Sequence, residues 1–348
     1  MSLEQLSGRT VLVTGAGGLI GSRITAQLRL LGARPVSVCK LDTYPQEVYR
    51  RRFGIVPGDP DFIVGDIAEP GLMEKAVRGC DYVIHAAALA DVAACTRRPL
   101  DAINTNITGT QCVIDAVAAS PDVRRMVFVS SASVYGNGPK ASLRPVRERA
   151  PAEFAESAVL QPVSVYGNTK AWGEYQSATV LGAAGTSYAV VRYFSVYGAP
   201  QIIKENSHSW VVAWFAMRAA LGLPLHLNGG GHQIRDMVHV DDIATGTLRT
   251  LIAPGAHNET VNIGTGSPTS IRTIAELVQA HHPGAQLVDS PMPPGDPEGG
   301  YASVERMERV LGWRPGITIE EGVARYVAWL EKTPDAIPQW LREGLAAA

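Results

Sequence analysis

One stretch near the start limits this chain more than any other: Arg9-Thr10-Val11-Leu12-Val13-Thr14-Gly15-Ala16-Gly17-Gly18-Leu19-Ile20-Gly21-Ser22. Val11-Leu12-Val13 is a short apolar run with the character of a buried strand. The glycines follow at once, and Leu19, Ile20, Ile24, Leu28 and Leu31 then recur at helical spacing. The pattern predicts a strand, a tight turn and a helix. Gly15 suits a sharp reversal. Gly18 lets a pyrophosphate approach backbone that a Cβ would block, and Gly21 lets the helix pack against the strand. The N-terminus of such a helix offers free N–H groups and the positive end of its dipole to phosphate. Three glycines alone are a weak signal; set between a strand and a helix they predict dinucleotide binding.

The alternation of strand and helix continues downstream. Pro35 to Cys39 reads as a second strand. A dinucleotide-binding unit usually ends this strand on an acid that bonds the adenosine ribose. Here Cys39 holds that place, followed by Lys40, Leu41 and Asp42. Two readings stay open: Asp42 reaches the ribose across a longer turn, or Lys40 meets a 2′-phosphate and the cofactor is NADP. Tyr44 to Pro60 reads as a loop with a short helix. Phe62 to Ile67 reads as a third strand whose Asp66 accepts from an adenine amino group, caps the segment starting near Glu69, or does both.

Tyr82 to Ala88 reads as a fourth strand. Its small residues Ala86, Ala87 and Ala88 leave room for a flat ligand at the carboxyl end, while His85 reads as packed in the core. Residues 100 to 119 read as a helix with Ile103, Ile107, Val113, Ile114 and Val117 inward and with Asn106 tying backbone together. Arg125 to Val129 reads as a fifth strand, running into Ser130-Ser131-Ala132-Ser133-Val134-Tyr135-Gly136. Its hydroxyls fall beside the small residues of the fourth strand, at the edge where open α/β sheets bind ligands.

Residues 137 to 160 hold several prolines and charges with little periodicity, which suits a surface excursion or a lid. Pro162 then opens a helix that carries Tyr166 and Lys170, four residues apart and so on one face. A phenol near its ordinary pKa of about 10 is a poor base at neutral pH. An ammonium one turn away favours the phenolate and lowers that value. Tyr166 can then exchange a hydroxyl proton while a hydride moves, and Ser131 can hydrogen-bond the same substrate oxygen.

Composition narrows the remaining choices. At 348 residues the chain exceeds one small core, so two lobes are expected. Net charge is −2 and pI about 6.5, which gives no basic arm for nucleic acid. Arg50-Arg51-Arg52 reads as a solvated face. No apolar run approaches the ~20 residues of a membrane helix, and the first residues lack the basic start and apolar block of a signal peptide. The cytoplasm is therefore the expected compartment. Cys39, Cys80, Cys95 and Cys112 show no paired spacing, so neither zinc nor a disulfide framework is indicated. His281-His282 reads as a helix end.

Taken together, these segments resemble the extended short-chain dehydrogenase/reductase family, and within it the nucleotide-sugar epimerases and dehydratases. The matching motifs run in family order. They are Thr14 to Gly21, Gly65-Asp66-Ile67, His85 to Ala88, Ser130 to Gly136 and Tyr166-Gly167-Asn168-Thr169-Lys170, then Val191 to Gly198, Arg235 to Asp242 and Leu311-Gly312-Trp313-Arg314-Pro315.

The resemblance implies a Rossmann α/β fold, a doubly wound parallel sheet, with a smaller, discontinuous α/β lobe that binds the nucleotide sugar. The expected division is 1–194 with returning segments 236–263 for the cofactor, and 195–235 with 264–348 for the substrate. It also implies that Tyr166, Lys170 and Ser131 are catalytic. Tyr166 is the acid or base, and Lys170 is its partner and a cofactor-ribose ligand. The cofactor, NAD or else NADP, is expected at Gly15, Gly18, Leu19, Ile20, Gly21, Lys40, Asp42, Asp66, Ile67, Ala86, Ala87, Ala88, Ser130, Tyr166 and Lys170. The substrate is expected at Ser131, Ser133, Ser195 and Arg235. Arg235 would grip a pyrophosphate, or alternatively pair with its acidic neighbours. Asp241-Asp242 reads as a helix cap. No metal is expected. A homodimer through helices around 100–119 and 166–182 is implied.

Departures from the family pattern sharpen the expected function. The 4,6-dehydratases place an acidic pair directly after the catalytic hydroxyl, where this chain has Ala132 and Ser133. Many epimerases have asparagine where Ser195 stands. Pro293 occupies the usual place of a second phosphate-binding arginine, so that grip is thinner or is supplied by Arg218, Lys204 or His232. Gln201 to Trp214 matches no family pattern and lies where the sugar is expected. The leading expectation is a nucleotide-sugar 4-epimerase that holds NAD tightly. An NADPH-dependent 4-ketoreductase comes second, favoured by Cys39-Lys40. A dehydratase or decarboxylase comes third, and a non-catalytic nucleotide sensor is set against the intact Tyr166/Lys170 pair.

Overall fold

A computed structural model describes residues 2–56, 58–138, 151–205, 210–292 and 299–343. Seven strands form the central sheet: β1 (Thr10–Thr14), β2 (Arg34–Cys39), β3 (Phe62–Val64), β4 (Tyr82–His85), β5 (Arg125–Ser131), β6 (Ser187–Tyr193) and β7 (Glu259–Ile263). Their order is β7-β6-β5-β4-β1-β2-β3, and every neighbouring pair is parallel. The chain winds outward from β1 in both directions, so β1 and β4 part at the centre. That is the doubly wound Rossmann arrangement, as expected. Buried apolar side chains cover both faces: Val11, Val13, Val127 and Val191 on one, Leu12, Val83, Met126 and Val190 on the other. A parallel sheet requires this two-sided burial.

A second core gathers Tyr197, Val212, Phe215, Leu225, Ile274, Val278, Val323 and Tyr326 beyond the carboxyl edge of the sheet. Two segments cross the expected division. Ala152–Phe154 pairs with Gly299–Ala302 in a small four-stranded sheet that also holds Ile234–Arg235 and Thr269–Ser270. Met307 and Leu311, from the helix Glu305–Leu311, pack into the core of the central sheet. Met237–His239 pairs with Ser195–Tyr197 in a separate two-stranded sheet and does not enter the central one. Residues 139–150, within the expected surface excursion, lie outside the described residues, as do Pro293 and the Pro-Gly-Asp after it.

Three local expectations are corrected. The helix across 100–119 is interrupted by a wide π turn at Asn104–Gly109, between Pro99–Ile103 and Thr110–Ala118. The wider turn shifts the phase, so Ile103 is exposed and Ala102 and Asn106 face inward. The helix bearing the tyrosine spans Val165–Ala184, and Pro162 does not open it. Ser164 caps it, its hydroxyl accepting from the Gly167 amide at 3.0 Å. Arg52 is not simply solvated: it pairs with Asp335 at 2.5 Å and lies over the Trp329 ring.

A buried polar network braces the sheet beneath the carboxyl edge. Arg192 on β6 makes a two-pronged contact with Glu174, Nη2 to Oε2 at 2.6 Å and Nε to Oε1 at 3.0 Å. Ser130 donates to the same carboxylate, and Arg192 Nη1 donates to the Tyr135 hydroxyl at 2.9 Å. Tyr135 in turn donates to Asn262 on β7 at 2.7 Å. Burial disfavours the guanidinium charge, but Glu174 and Tyr135 more than offset it. Glu174→Gln should therefore cost about 3 kcal/mol of unfolding free energy in urea, because it leaves Arg192 buried and uncompensated. A cost under ~1 kcal/mol, within the range of exposed pairs, would show that the pair is not isolated from water.

Candidate functional site

The glycine turn sits where β1 and β4 part. Gly15 has φ +73°, and a Cβ there would come within 2.8 Å of the Ala87 backbone. At Gly21 a Cβ would stand 2.2 Å from the Gly15 carbonyl oxygen. These glycines press β1, the loop after β4 and the helix Leu19–Leu30 into contact. Thr14 locks the same junction. Its hydroxyl accepts from the Ala87 amide at 3.1 Å and meets His85 Nδ1 at 2.7 Å, while His85 Nε2 reaches Thr110 at 2.9 Å. Burial lowers the His85 pKa to about 3, so the ring is neutral and structural.

Gly18 is the N-cap of the helix, with no side chain bonded there. An added Cβ at Gly18 would find only the Gly15 oxygen, at 3.4 Å. The turn thus presents an open face, free amides and a helix dipole, which fits a dinucleotide pyrophosphate. Leu19, Ile20 and the alanines 86–88 are half-buried around it.

At the end of β2 the thiol of Cys39 packs under Gly17, whose Cβ would come within 2.7 Å of the sulfur. Burial pushes the Cys39 pKa up, so no thiolate replaces the usual acid. Leu41 takes a left-handed conformation with φ 57°. Lys40 lies 2.9 Å from Asp66 and 3.8 Å from Asp42. Burial works against ionisation of Asp66, but the Ala68 amide and Lys40 outweigh it and hold the carboxyl below its usual range. One Asp66 oxygen accepts from Ala68 at 3.0 Å and the other meets Lys40, so the carboxylate closes a turn and does not cap the helix Leu72–Ala76, which begins after Gly71. Ile67 is buried against Gly109.

The reactive edge forms at the carboxyl end of β5. The Ser131 hydroxyl is hydrogen-bonded to that of Tyr166 and lies 3.1 Å from Ser133 Oγ. Lys170 is buried, with Nζ donating to the Val129 carbonyl at 2.8 Å and lying 5.8 Å from the Tyr166 ring centre. Asn106, carried inward by the π turn, donates to Thr169 at 3.1 Å and to the Leu89 carbonyl at 3.1 Å, and accepts from the Leu89 amide at 2.7 Å. It ties the loop after β4 to the helix Val165–Ala184. Ser130 faces the other way, its hydroxyl spent on Glu174.

The expected lowering of the Tyr166 pKa is corrected. Burial pushes it up to about 12, and the Ser131 hydrogen bond opposes this only in part. The ammonium stands over the ring and is bonded to a carbonyl, so it does not face the phenol oxygen. Burial also lowers Lys170 to about 8, against the opposing pull of Cys95 and Glu174.

Ser195 follows two residues after Tyr193, which pairs with Ser131 in the sheet, and Arg235 lies in the small four-stranded sheet. The Ser195 amide donates to the Asp236 carbonyl at 2.9 Å. Arg235 Nη1 donates to the Ile234 carbonyl at 2.8 Å and crosses Gly299, where a Cβ would be 2.4 Å away. Asp236 is buried and accepts from the Thr265, Gly266 and Ala302 amides. His239, and not the aspartates, caps the helix Val240–Ile252, while Asp241 pairs with Arg23 and Asp242 accepts from Gly316 and Ile317. Sequence reasoning passes over Glu174, although its spacing of four from Lys170 puts both on one helical face.

Residues 11–264 match the family described as the NAD dependent epimerase/dehydratase family. The chain belongs to that family. A relative named UDP-glucose 4-epimerase, from Yersinia pestis, is 30% identical over 94% of this chain and 99% of its own length. A Thermotoga maritima UDP-glucose 4-epimerase solved with UDP-glucose shares 28% identity, covers 93% of this chain and 99% of its own, and superposes with a TM-score of 0.82. A Thermus thermophilus UDP-glucose 4-epimerase solved with NAD matches at 28% identity over 93% and 99%, with a TM-score of 0.78.

The buried ammonium carries a stability prediction. Below about 8 both folded and unfolded chains hold the Lys170 proton, and the full burial cost is present. Between about 8 and the ordinary 10.5 the unfolded chain binds more protons, so native stability rises with pH. Lys170→Met should raise stability by roughly 1–3 kcal/mol at pH 7, with the gain shrinking toward pH 10.5, as read by urea unfolding. A difference that stays constant over that range would mean that Lys170 is not desolvated.

Proposed function

We propose that this enzyme is a nucleotide-sugar 4-epimerase, acting on a UDP- or dTDP-sugar with tightly held NAD. The observation that carries the reading is the pairing of Ser131 and Tyr166 beside the open glycine turn, with Lys170 beneath. Bound NAD supplies the hydride acceptor and donor at sugar C4. Tyr166 takes the proton of the C4 hydroxyl and later returns it, and Ser131 hydrogen-bonds the same oxygen. Lys170, held on the Val129 carbonyl beneath the ring, is the proposed cofactor-ribose ligand. Ala132 and Ser133, in place of an acidic pair, supply no carboxylate for dehydration.

Lys40 speaks for NAD over NADP. Its charge is taken up by Asp66 and Asp42, and a 2′-phosphate there would face both carboxylates. The relative's name and the neighbour solved with UDP-glucose favour a uridine nucleotide. Arg235 is the proposed pyrophosphate ligand, with Ser133 and Ser195 lining the sugar side. Ser195 in the usual place of asparagine leaves a shorter side chain there. A cytoplasmic location and a homodimer belong to the same proposal. Leu100, Ile103 and Tyr175, exposed at 76%, 42% and 64%, are apolar or aromatic surface on the helices that would meet.

Purified protein incubated with UDP-galactose, and separately with UDP-galacturonate, should convert at least one to its C4 epimer without added cofactor, and denaturation should release NAD. Tyr166→Phe should lower kcat by about 10²–10⁴-fold at unchanged NAD content. Intact turnover in Tyr166→Phe, or stoichiometric NADPH consumption on a 4-keto sugar, would contradict the proposal.

A further inference from the structure

Among the described residues of the unmatched Gln201–Trp214 stretch, Lys204 has a setting that calls for a ligand. Its ammonium lies 5.2 Å from the Tyr44 ring centre and 5.6 Å from that of Trp210. Among the described residues it has no hydrogen-bond acceptor and no carboxylate within ion-pair distance. Two faces of π density hold the cation where nothing neutralises it. Burial lowers its pKa, opposed by the fields of Asp91 and Asp42. It is thus a half-buried charge held between two rings.

The Tyr44 ring locates it, five residues past the end of β2. Asp42 stands three residues past the end of β2, and Asp91 six residues past the end of β4. In the sheet β1 lies between β2 and β4, and its carboxyl end is the glycine turn. The Tyr44 ring under Lys204 packs edge-on against Tyr49 at 5.7 Å, and Tyr49 stands 3.2 Å from a Cβ built at Gly17, so Lys204 lies on the β2 side of that turn. The nearby cations of the first lobe are already engaged: Arg23 pairs with Asp241 and Lys40 with Asp66. A dinucleotide pyrophosphate on the turn would meet the helix amides and dipole, with its second charge still to be balanced.

We propose that Lys204 is a phosphate-binding residue of the second lobe that closes on the cofactor pyrophosphate from the β2 side of the glycine turn, with Tyr44 and Trp210 as its holder. The inference rests on the reading of the turn as an NAD site. It gives Lys204 a role in cofactor retention, which epimerisation needs because the same NAD must serve both half-reactions.

The test is titration of cofactor-stripped protein with NAD, ADP-ribose and UDP, on the native chain and on Lys204→Met and Lys204→Arg. Lys204→Met keeps most of the apolar stem, and its thermal midpoint reports folding. The expected result is a rise of about tenfold or more in Kd for NAD and ADP-ribose, a shallower salt dependence, UDP unchanged, and partial recovery in Lys204→Arg. Unchanged NAD and ADP-ribose affinity in a folded Lys204→Met overturns the proposal, whether or not stability falls. A loss confined to UDP also overturns it and gives the cation to the substrate. If the native chain itself binds no NAD or ADP-ribose, the family reading of the turn fails first.

Discussion

The contact between the glycine turn and its surroundings governs this structure. Gly21 sits against the Gly15 carbonyl, and Gly15 against the backbone of Ala87, at distances no side chain tolerates. Strand, helix and the loop after β4 therefore converge on one point, and the uncapped helix end is fixed relative to the small residues 86–88. The Thr14–His85–Thr110 chain of hydrogen bonds, kept neutral by burial, holds the same point from beneath. Asn106 extends it to Thr169 on the helix Val165–Ala184. The glycine turn and the Ser131–Tyr166 edge are thus two ends of one hydrogen-bonded assembly.

Burial sets the chemistry of that edge in an unexpected sense. Both members of the Tyr166/Lys170 pair are pushed toward neutrality, the phenol up and the ammonium down. A pair poised this way is a weak base in the protein alone. Arg192 is held charged by its pairing with Glu174, and the same carboxylate opposes the lowering of Lys170 on its own helix.

Much of this is legible in the residues, and for a physical reason. A buried parallel strand, a glycine turn and an amphipathic helix are local patterns, and Tyr166 and Lys170 share a face at any helix of ordinary pitch. What local pattern misses is phase and partner. The π turn at Asn104–Gly109 rotates Ile103 outward although its spacing reads inward. Pro162 resembles a helix start, yet Ser164 has the hydroxyl that satisfies an amide. Lys40 reads as a phosphate ligand because its partner Asp66 is 26 residues away in the chain and adjacent only in the sheet. Arg52 reads as solvated because Asp335 and Trp329 belong to the other lobe. The Tyr166 pKa escapes a reading of spacing because spacing reports a neighbour's charge and says nothing of the solvent removed.

Hydride return to the same carbon is the central chemical claim, and an isotope at that carbon tests it most directly. A nucleotide sugar that is turned over, carrying deuterium at C4, should yield its epimer with the deuterium retained at C4, in ordinary water and without added cofactor. Loss of the label to solvent, or its absence from the product while the substrate keeps it, would contradict transient oxidation and return at this site.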